Sequence, residues 1–303
     1  MSVIENTLKR LQGQRPASSP AAAPEPKGYG TVTAAGAARR RESPADAVTP
    51  EGAVVLDPNA LRAAGMLPPA HQEHEIAQQY RRIKRPLINN ALGRGVAQLA
   101  SGNLIMITSA VPGEGKTFMS LNLALSMRLE EDVTVLLVDG DFVNPRLTQI
   151  LGLDNRPGLL DLVKDPTLAA EAAILATDLP GLSFLPAGRQ EANATELVAS
   201  ARMHQVLSKL GSDNPARLVL FDSAPLLVTT ESQALAHFAG QVVLVVHADQ
   251  TPQHVVFDAL ETLAEDKPVS LVLNQITRHS HSGYYYEYGS GAKWRGEQAG
   301  SDQ

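Results

Sequence analysis

The sequence predicts an α/β fold in which a mostly parallel, twisted sheet is flanked by helices. Short runs of Val, Ile and Leu alternate with stretches of helical periodicity along most of the chain. Continuous apolar runs of this kind are typical of strands that are buried on both faces. In addition, a glycine-rich turn joins the first of these runs to the helical stretch that follows it. The composition, 44% hydrophobic and 19% charged residues, is ordinary for a globular chain of 303 residues.

The chain divides into regions of different composition. Residues 1–12 place apolar side chains at helical spacing and predict a short amphipathic helix, either a docking helix or a terminal helix without a partner. Residues 13–52 are rich in Ala and Pro and predict a disordered linker, because they offer too little apolar surface to offset chain entropy. Residues 53–278 carry the α/β pattern, and residues 279–303 predict a flexible tail with a cluster of tyrosines.

Composition also excludes several classes of protein. The absence of cysteine excludes disulfides, iron–sulfur clusters and thiolate zinc sites. A formal charge of −6 gives no electrostatic argument for nucleic acid as a partner. No apolar run approaches the ~20 residues that span a bilayer, and the first residues lack the apolar segment of a signal peptide. We therefore expect a cytoplasmic protein.

The first element of the folded region is a predicted helix over residues 73–89. Its apolar stripe consists of Ile76, Tyr80, Ile83 and Leu87. The basic residues expected largely outside that stripe are Arg81, Arg82, Lys84 and Arg85.

Strands and helices alternate after this helix. Predicted helices include residues 116–129 and 252–264. The predicted strands are 103–109, 133–139, 182–187, 217–222, 241–247 and 269–274.

The turn after the first strand, AVPGEGKT, has the form of a Walker A loop in which Ala110 replaces the usual first glycine. Gly113 and Gly115 allow the backbone to curl so that successive N–H groups face a phosphate chain. The following helix adds its positive N-terminal end. We expect the Lys116 ammonium to meet the β- and γ-phosphate oxygens of ATP and the Thr117 hydroxyl to bind Mg²⁺.

Acidic residues end two further strands. Asp139 and Asp141 follow one apolar run, and Asp222 ends another. The carboxyl ends of parallel strands meet at one edge of the sheet, so the three carboxylates should converge near the metal and the γ-phosphate. A single aspartate on its own is better explained as a helix cap or a turn residue. Together with the loop, the set indicates Asp139, Asp222 and Thr117 as metal ligands, directly or through water.

These motifs resemble the deviant Walker family of P-loop ATPases, which includes the MinD/ParA positioning ATPases and the bacterial tyrosine kinases. MinD and ParA proteins usually carry a lysine at the second loop position, where this chain has Val111, as expected of the kinases. The segment LLVDGDFVNPR is similar to the Walker A′ motif of the kinases, with Arg146 as its trailing arginine. Within the family, the sequence is most similar to the tyrosine autokinases encoded at exosortase/PEP-CTERM exopolysaccharide loci.

The resemblance implies a set of nucleotide contacts, with Asn274 placed where relatives contact the base. The candidate nucleotide-binding residues are Ala110, Pro112, Gly113, Glu114, Gly115, Lys116, Thr117, Phe118 and Asn274.

The resemblance also gives the tail and the first helix a role. In these kinases a C-terminal tyrosine cluster is autophosphorylated, and the corresponding phosphoacceptors here are Tyr284, Tyr285, Tyr286 and Tyr288. About ten extended residues separate the last strand from this cluster and span roughly 35 Å, which is enough for the chain's own site or that of a neighbour. The oligomerisation motif E-x-x-R-x-x-R of the family corresponds to Gln78, Arg81 and Lys84, with glutamine in place of glutamate.

The implied activity is ATP- and Mg²⁺-dependent tyrosine autophosphorylation, with the tail entering a neighbouring active site of a homo-oligomer. Lys116 is then catalytic, and Asp139 or Asp141 accepts the phenol proton. The implied partner is an inner-membrane polysaccharide chain-length regulator that recruits the protein to the inner face of the membrane. Two alternatives stay open: a positioning ATPase, and a non-catalytic, nucleotide-dependent regulator of polysaccharide export.

Overall fold

The computed structural model describes residues 52–191, 193–214 and 216–276. The predicted N-terminal helix, all but the last residue of the predicted linker, and the predicted tail with its four candidate phosphoacceptors lie outside the described residues.

A seven-stranded sheet with the order β3-β4-β2-β5-β1-β6-β7 forms the centre of the fold. All neighbouring strands are parallel except β3, which runs antiparallel to β4. The mostly parallel sheet predicted from the apolar runs is confirmed. The strands are β1 Leu104–Ser109, β2 Thr134–Gly140, β3 Leu175–Ala176, β4 Leu182–Leu185, β5 Arg217–Ser223, β6 Gln241–His247 and β7 Val269–Asn274.

Helices lie on both faces of this sheet. A 3₁₀ turn, Ala70–Gln72, separates the first two of them. The described helices are α1 Pro58–Ala63, α2 Glu73–Leu92, α3 Lys116–Met127, α4 Arg146–Ile150, α5 Leu159–Lys164, α6 Ala170–Ala173, α7 Ala194–Val198, α8 Ala201–Ser212, α9 Thr230–Phe238 and α10 Gln253–Glu261.

Alternate side chains of each central strand enter different cores. In β1, Ile105 and Ile107 join the core beneath α2 and α3, whereas Met106 points to the opposite face, beneath α9 and α10. In β2, Leu137 and Leu136 divide between the two faces in the same way. Burial on both faces explains why these strands read as continuous apolar runs.

The two edges of the sheet differ. At the β3 edge, the N–H of Val54 donates to Ala176 O and the N–H of Asp178 donates to Val54 O, at 2.9 and 3.0 Å. The chain then passes through α1 to Met66, whose carbonyl oxygen accepts a hydrogen bond of 2.8 Å from Asn122 in α3. At the other edge, β7 pairs with β6 on one side. Residues 53–69 thus form a strap that runs from the β3 edge to α3, an arrangement that the sequence pattern did not reveal.

Helix α2 confirms the predicted apolar stripe but corrects one residue. Tyr80 and Leu87 are buried, and Ile76 and Ile83 are partly buried against the same core. The prediction that Lys84 lies outside the stripe is wrong, because its side chain is buried. The Lys84 ammonium donates to Ser126 O at 2.6 Å and pairs with Glu130 at 2.7 Å, at the carboxyl end of α3.

Burial of Lys84 follows from the direction of its side chain. A long aliphatic stem can pass through an apolar interface when the ammonium reaches acceptors on the far side. The last carbonyl groups of a helix offer such acceptors together with the negative end of its dipole. Lys84 therefore ties α2 to α3 within one subunit.

None of the helices in the described ranges combines the length and the apolarity needed to cross a bilayer.

Replacing Lys84 should cost stability. Lys84→Ala removes the aliphatic packing and leaves Ser126 O and Glu130 without this cation, so we expect the free energy of unfolding to fall by about 1–3 kcal/mol. The matched control Arg85→Ala changes an exposed residue of the same helix and should stay within about 0.5 kcal/mol. Urea unfolding followed by circular dichroism measures both, and equal midpoints would contradict the assigned role.

Candidate active site

The loop between β1 and α3 has the curled shape that its sequence predicts. Gly113 and Gly115 adopt left-handed backbone conformations, with φ of 87° and 92°. Such angles suit glycine because it has no Cβ. Ala110 is fully buried, and its φ is not positive, so an alanine fits where the motif usually has glycine. The loop leads directly into α3, whose first residues are Lys116 and Thr117.

Glu114 holds the loop from behind and does not turn its carboxylate toward the phosphate side. It is 1% exposed. One carboxylate oxygen accepts from Val111 N at 2.9 Å, and the other accepts from His247 N at 3.3 Å and from Thr251 Oγ1 at 2.5 Å. The side chain therefore ties the loop to the segment after β6. Glu114 is one of the predicted nucleotide-binding residues, but its side chain is fully used within the protein. Only its backbone is available to a ligand.

The end of β7 closes the outside of the loop. Asn274 Nδ2 donates to Glu114 O and Gln275 Nε2 donates to Gly113 O, both at 2.8 Å. A Cβ at Gly115 would lie 2.1 Å from Asn274 Nδ2, so only glycine allows this approach. Asn274, which is predicted to contact the base of the nucleotide, thus lies against the loop itself.

Asp139 and Asp222 lie side by side, because β2 and β5 pair in a register that aligns the two residues. Both are fully buried. Burial, together with the charge of Asp222, raises the pKa of Asp139 to about 7, although hydrogen bonds from Thr148 and from Asp141 N oppose the shift. Burial likewise raises the pKa of Asp222 to about 6, against the opposing charge of Lys116 and the hydroxyls of Thr117 and Ser120.

The two carboxylates differ in how their oxygens are used. Asp139 Oδ2 accepts from both the backbone N–H and the hydroxyl of Thr148, each at 2.8 Å, and Oδ1 accepts from Asp141 N at 3.3 Å. Asp222 Oδ1 accepts from Ser120 Oγ at 3.0 Å. Asp222 Oδ2 is buried and has no hydrogen-bond partner among the described residues.

A carboxylate oxygen without a hydrogen-bond partner is suited to a bound Mg²⁺. Mg²⁺ is usually held by one or two protein oxygens together with waters and substrate phosphates, and does not need a cage of carboxylates. Consistent with that, no cluster of three His, Asp or Glu side chains suited to a metal occurs in the described ranges. Thr117 and Asp222 therefore fit the cation, whereas Asp139 is largely committed to Thr148.

Lys116 and Asp141 form an ion pair at the entrance of the site, with 2.8 Å between Nζ and Oδ2. Asp141 Oδ1 accepts from Asn144 N at 2.9 Å. Burial alone would lower the pKa of Lys116, but the charges of Asp222, Asp141 and Asp139 outweigh it and raise that pKa. The lysine is therefore a permanent cation within reach of an anionic ligand.

An open cleft of about 1370 Å³ lies over the loop. One wall is the strap and the start of α2, which local sequence patterns did not associate with the site. The residues that line the cleft include Arg62, Met66, Leu67, Pro69, Gln72, Ile76, Gln79, Pro112, Gly113, Gly115, Lys116, Thr117, Phe118, Asp141, Val143, Arg146, Val228, Asn274 and Gln275.

The structure thus brings together the predicted loop residues, the three aspartates and Asn274. Gln78 and Arg81 lie on the exposed face of α2. Sequence reasoning missed Thr148 and Ser120 as partners of the buried carboxylates. Ser120 had a local signal, since it lies one helical turn beyond Lys116, but Thr148 had none.

The curled glycine loop, the lysine and threonine that begin α3, and the carboxylates at neighbouring strand ends define a P-loop nucleotide-binding site of the ATPase class. The tyrosine-protein kinase YwqD of Bacillus subtilis is 30% identical over 213 residues, which cover 69% of this chain and 86% of that protein. The EpsB protein of Ralstonia nicotianae is 30% identical over 197 residues, which cover 65% of this chain. The chain spans only a quarter (25%) of that relative's length.

Among solved structures, the kinase domain of VpsO superposes with a TM-score of 0.56 at 26% identity. The match covers 69% of this chain and all of that domain. No protein-family model matches the sequence. With these relatives beside the site geometry, the chain belongs to the bacterial tyrosine-kinase family.

Glu114 offers a test of the loop geometry. Glu114→Gln puts an amide NH₂ against groups that are themselves donors, so one of the three hydrogen bonds is lost. We expect ATP to bind about tenfold more weakly, which corresponds to about 1.4 kcal/mol. Isothermal titration calorimetry measures the affinity, with the exposed Glu196→Gln of α7 as the matched control. An unchanged affinity in Glu114→Gln would show that the loop keeps its shape without this carboxylate.

The buried carboxylates predict how stability depends on pH without nucleotide and Mg²⁺. Asp222 has a pKa raised from 3.8 to about 6, so its neutral form stabilises the fold. That contribution is fully present below pH 3.8 and is lost as the pH rises through about 6. Asp222→Asn removes it, so the Tm difference between pH 5 and pH 8 should be smaller in the variant, by a few degrees at roughly 2–4 °C per kcal/mol. Identical pH profiles of Tm in differential scanning calorimetry would contradict the shifted pKa.

Proposed function

We propose that this protein is an ATP-dependent tyrosine autokinase that phosphorylates its own C-terminal tyrosines, in trans within an oligomer, and so regulates exopolysaccharide synthesis or export. The observation that carries the proposal is the Lys116–Asp141 pair, which lies at the entrance of a P-loop site where a carboxylate lines the open cleft. A hydrolase needs to position only water there, whereas a kinase needs a base that an incoming phenol can reach.

In this proposal, the lysine changes partner when ATP binds. The Lys116 ammonium moves from Asp141 to the β- and γ-phosphate oxygens, which carry more negative charge and accept strong charge-assisted hydrogen bonds. Thr117 and Asp222 hold Mg²⁺, which supplies neutralisation of the phosphate charge when it is bound. Asp141 is then released for a second role.

Asp141 is a better candidate for the base than Asp139. Asp139 is fully buried and its oxygens accept three hydrogen bonds, whereas Asp141 lines the cleft. In the transfer step the tyrosine oxygen forms a bond to the γ-phosphorus and the bond from that phosphorus to the ADP oxygen breaks. The phenol proton passes to the Asp141 carboxylate, because a phenol with a pKa of about 10 is mostly neutral at pH 7.

The acceptors we propose are Tyr284, Tyr285, Tyr286 and Tyr288. Transfer in trans is supported by the position of α2, since Ile76 and Gln79 line the cleft while Gln78 and Arg81 are exposed next to them. A neighbour that docks on this exposed face would lie close to the entrance of the site. We keep Gln78 and Arg81 as the assembly residues and place Lys84 within the subunit.

A relative that is 31% identical over 205 residues, the succinoglycan biosynthesis transport protein ExoP of Rhizobium meliloti, supports a setting in polysaccharide synthesis or export. The membrane partner we propose is a polysaccharide chain-length regulator of the inner membrane, which would bring the kinase to the cytoplasmic face.

Mixing two variants tests both the activity and the transfer in trans. Lys116→Met should bind ATP poorly and transfer no phosphate, and a variant with Phe at the four tail positions should transfer phosphate without being an acceptor. Each alone should show little phosphotyrosine by mass spectrometry after incubation with Mg·ATP. The mixture should label the Lys116→Met chain, and Arg81→Ala in both chains should reduce that labelling several-fold.

Lys209→Met, an exposed lysine of α8, is the matched control and should label itself like the wild type. ATP hydrolysis without phosphotyrosine would identify a positioning ATPase instead. The absence of both ATP hydrolysis and phosphotyrosine would identify a non-catalytic regulator. Labelling of Lys116→Met on its own would show that the loop lysine is not required.

A further inference from the structure

The edge strand β7 exposes an apolar face that the described residues do not cover. Leu271 and Leu273 are 56% and 61% exposed, and Ile276 beyond the strand is 61% exposed. In the pairing with β6, Leu271 lies beside Leu244 and Leu273 beside Val246, so both leucines are on the face that α10 covers farther in. A six-residue edge strand with this face is a template for a further strand.

The position of the chain end indicates what covers this edge. The described chain stops at residue 276, directly beyond β7, and residues 277–303 continue from there. Gln275 is left-handed, with φ of 57°, so the chain leaves the strand direction at that point. The other undescribed terminal segment, residues 1–51, joins the structure at the opposite edge, next to β3.

We propose that residues 284–288, YYYEY, add to the open edge of β7 as an antiparallel strand of the same chain when the tyrosines are unmodified. Tyrosine has a high β-propensity, and aromatic residues pair well with aliphatic side chains across strands. Residues 275–283 connect the two strands. This connection is longer than a tight hairpin loop but shorter than the roughly 12–15 residues beyond which connections become uncommon.

The side-chain pattern selects one register. With Tyr284 opposite Leu273, Tyr286 lies opposite Leu271 and Tyr288 opposite the partly buried Val269, all on the same face of the sheet. Glu287 then lies opposite Ser270, on the other face. A shift by one residue in either direction would place Glu287 opposite Leu271 or Val269, so the register that matches tyrosines to apolar residues is strongly preferred.

In this docked state the unmodified phosphoacceptors are bound at the edge of their own sheet. A phosphate adds about −1.5 to −2 charges to a phenol, and such a charge beside exposed leucines disfavours docking, so a modified tail leaves the edge. This regulatory consequence rests on the proposed function, whereas the docking itself does not.

Hydrogen exchange with mass spectrometry tests the docking in the full chain carrying Lys116→Met, without nucleotide, so that the tyrosines stay unmodified whether or not the chain is a kinase. Peptides that cover residues 283–290 should exchange at least about tenfold more slowly than an unstructured chain. Leu271→Ser with Leu273→Ser should abolish this protection, whereas Leu129→Ser, an equally exposed leucine beyond α3, should leave it unchanged.

A second pair of variants tests the register. Tyr286→Ser should remove most of the protection, whereas Glu287→Ser should keep it. Exchange of residues 283–290 at the unstructured rate would overturn the proposal. So would protection that survives the two leucine substitutions, or protection that increases with protein concentration, since a second copy would then be the occupant.

Discussion

Asp139 and Asp222 are buried next to each other at the ends of adjacent strands, and much of the site is arranged around that pair. Two neighbouring carboxylates in a region of low dielectric cannot both be charged without compensation. Thr148 and Ser120 supply hydrogen bonds, and Lys116 supplies the positive charge. One oxygen of Asp222 still has no hydrogen-bond partner among the described residues. A buried carboxylate oxygen without a hydrogen-bond partner suits a cation, and in the proposed function Mg²⁺ bound with ATP would offset the electrostatic cost of this buried pair.

A second constraint is the shape of the loop, which is fixed from outside. Two carbonyl groups of the loop are bonded to the end of β7: Gly113 O accepts from Gln275 and Glu114 O accepts from Asn274. The buried Glu114 carboxylate accepts from Val111 N. Because the protein itself supplies these contacts, the curl of the backbone does not depend on a bound phosphate. Preorganised N–H groups of this kind bind anions without a reorganisation cost at the moment of binding.

The sequence was sufficient for the parts of the structure that have local signals. The long strands, the glycine loop and the strand-end aspartates follow from periodicity and spacing, and the structure contains them. β3 has only two residues, too few to show any period, and the strap pairs with it at a large sequence separation. Helical periodicity places Lys84 outside the apolar stripe of α2, because the pattern of one helix cannot reveal hydrogen-bond acceptors on another helix. The resemblance places Glu114 among the nucleotide-binding residues, but a motif gives the position of a residue in the loop and not the direction of its side chain.

The two ends of the described chain lie at opposite edges of the sheet. Residues 53–56 close the β3 edge, whereas β7 leads to the segment that carries the tyrosines. The residues that end β7 are also those that hold the loop, through Asn274 and Gln275. In the docking proposed above, the tail would begin directly after these two contacts. A single strand end therefore serves both the nucleotide loop, through two side chains, and the start of the segment that carries the tyrosines.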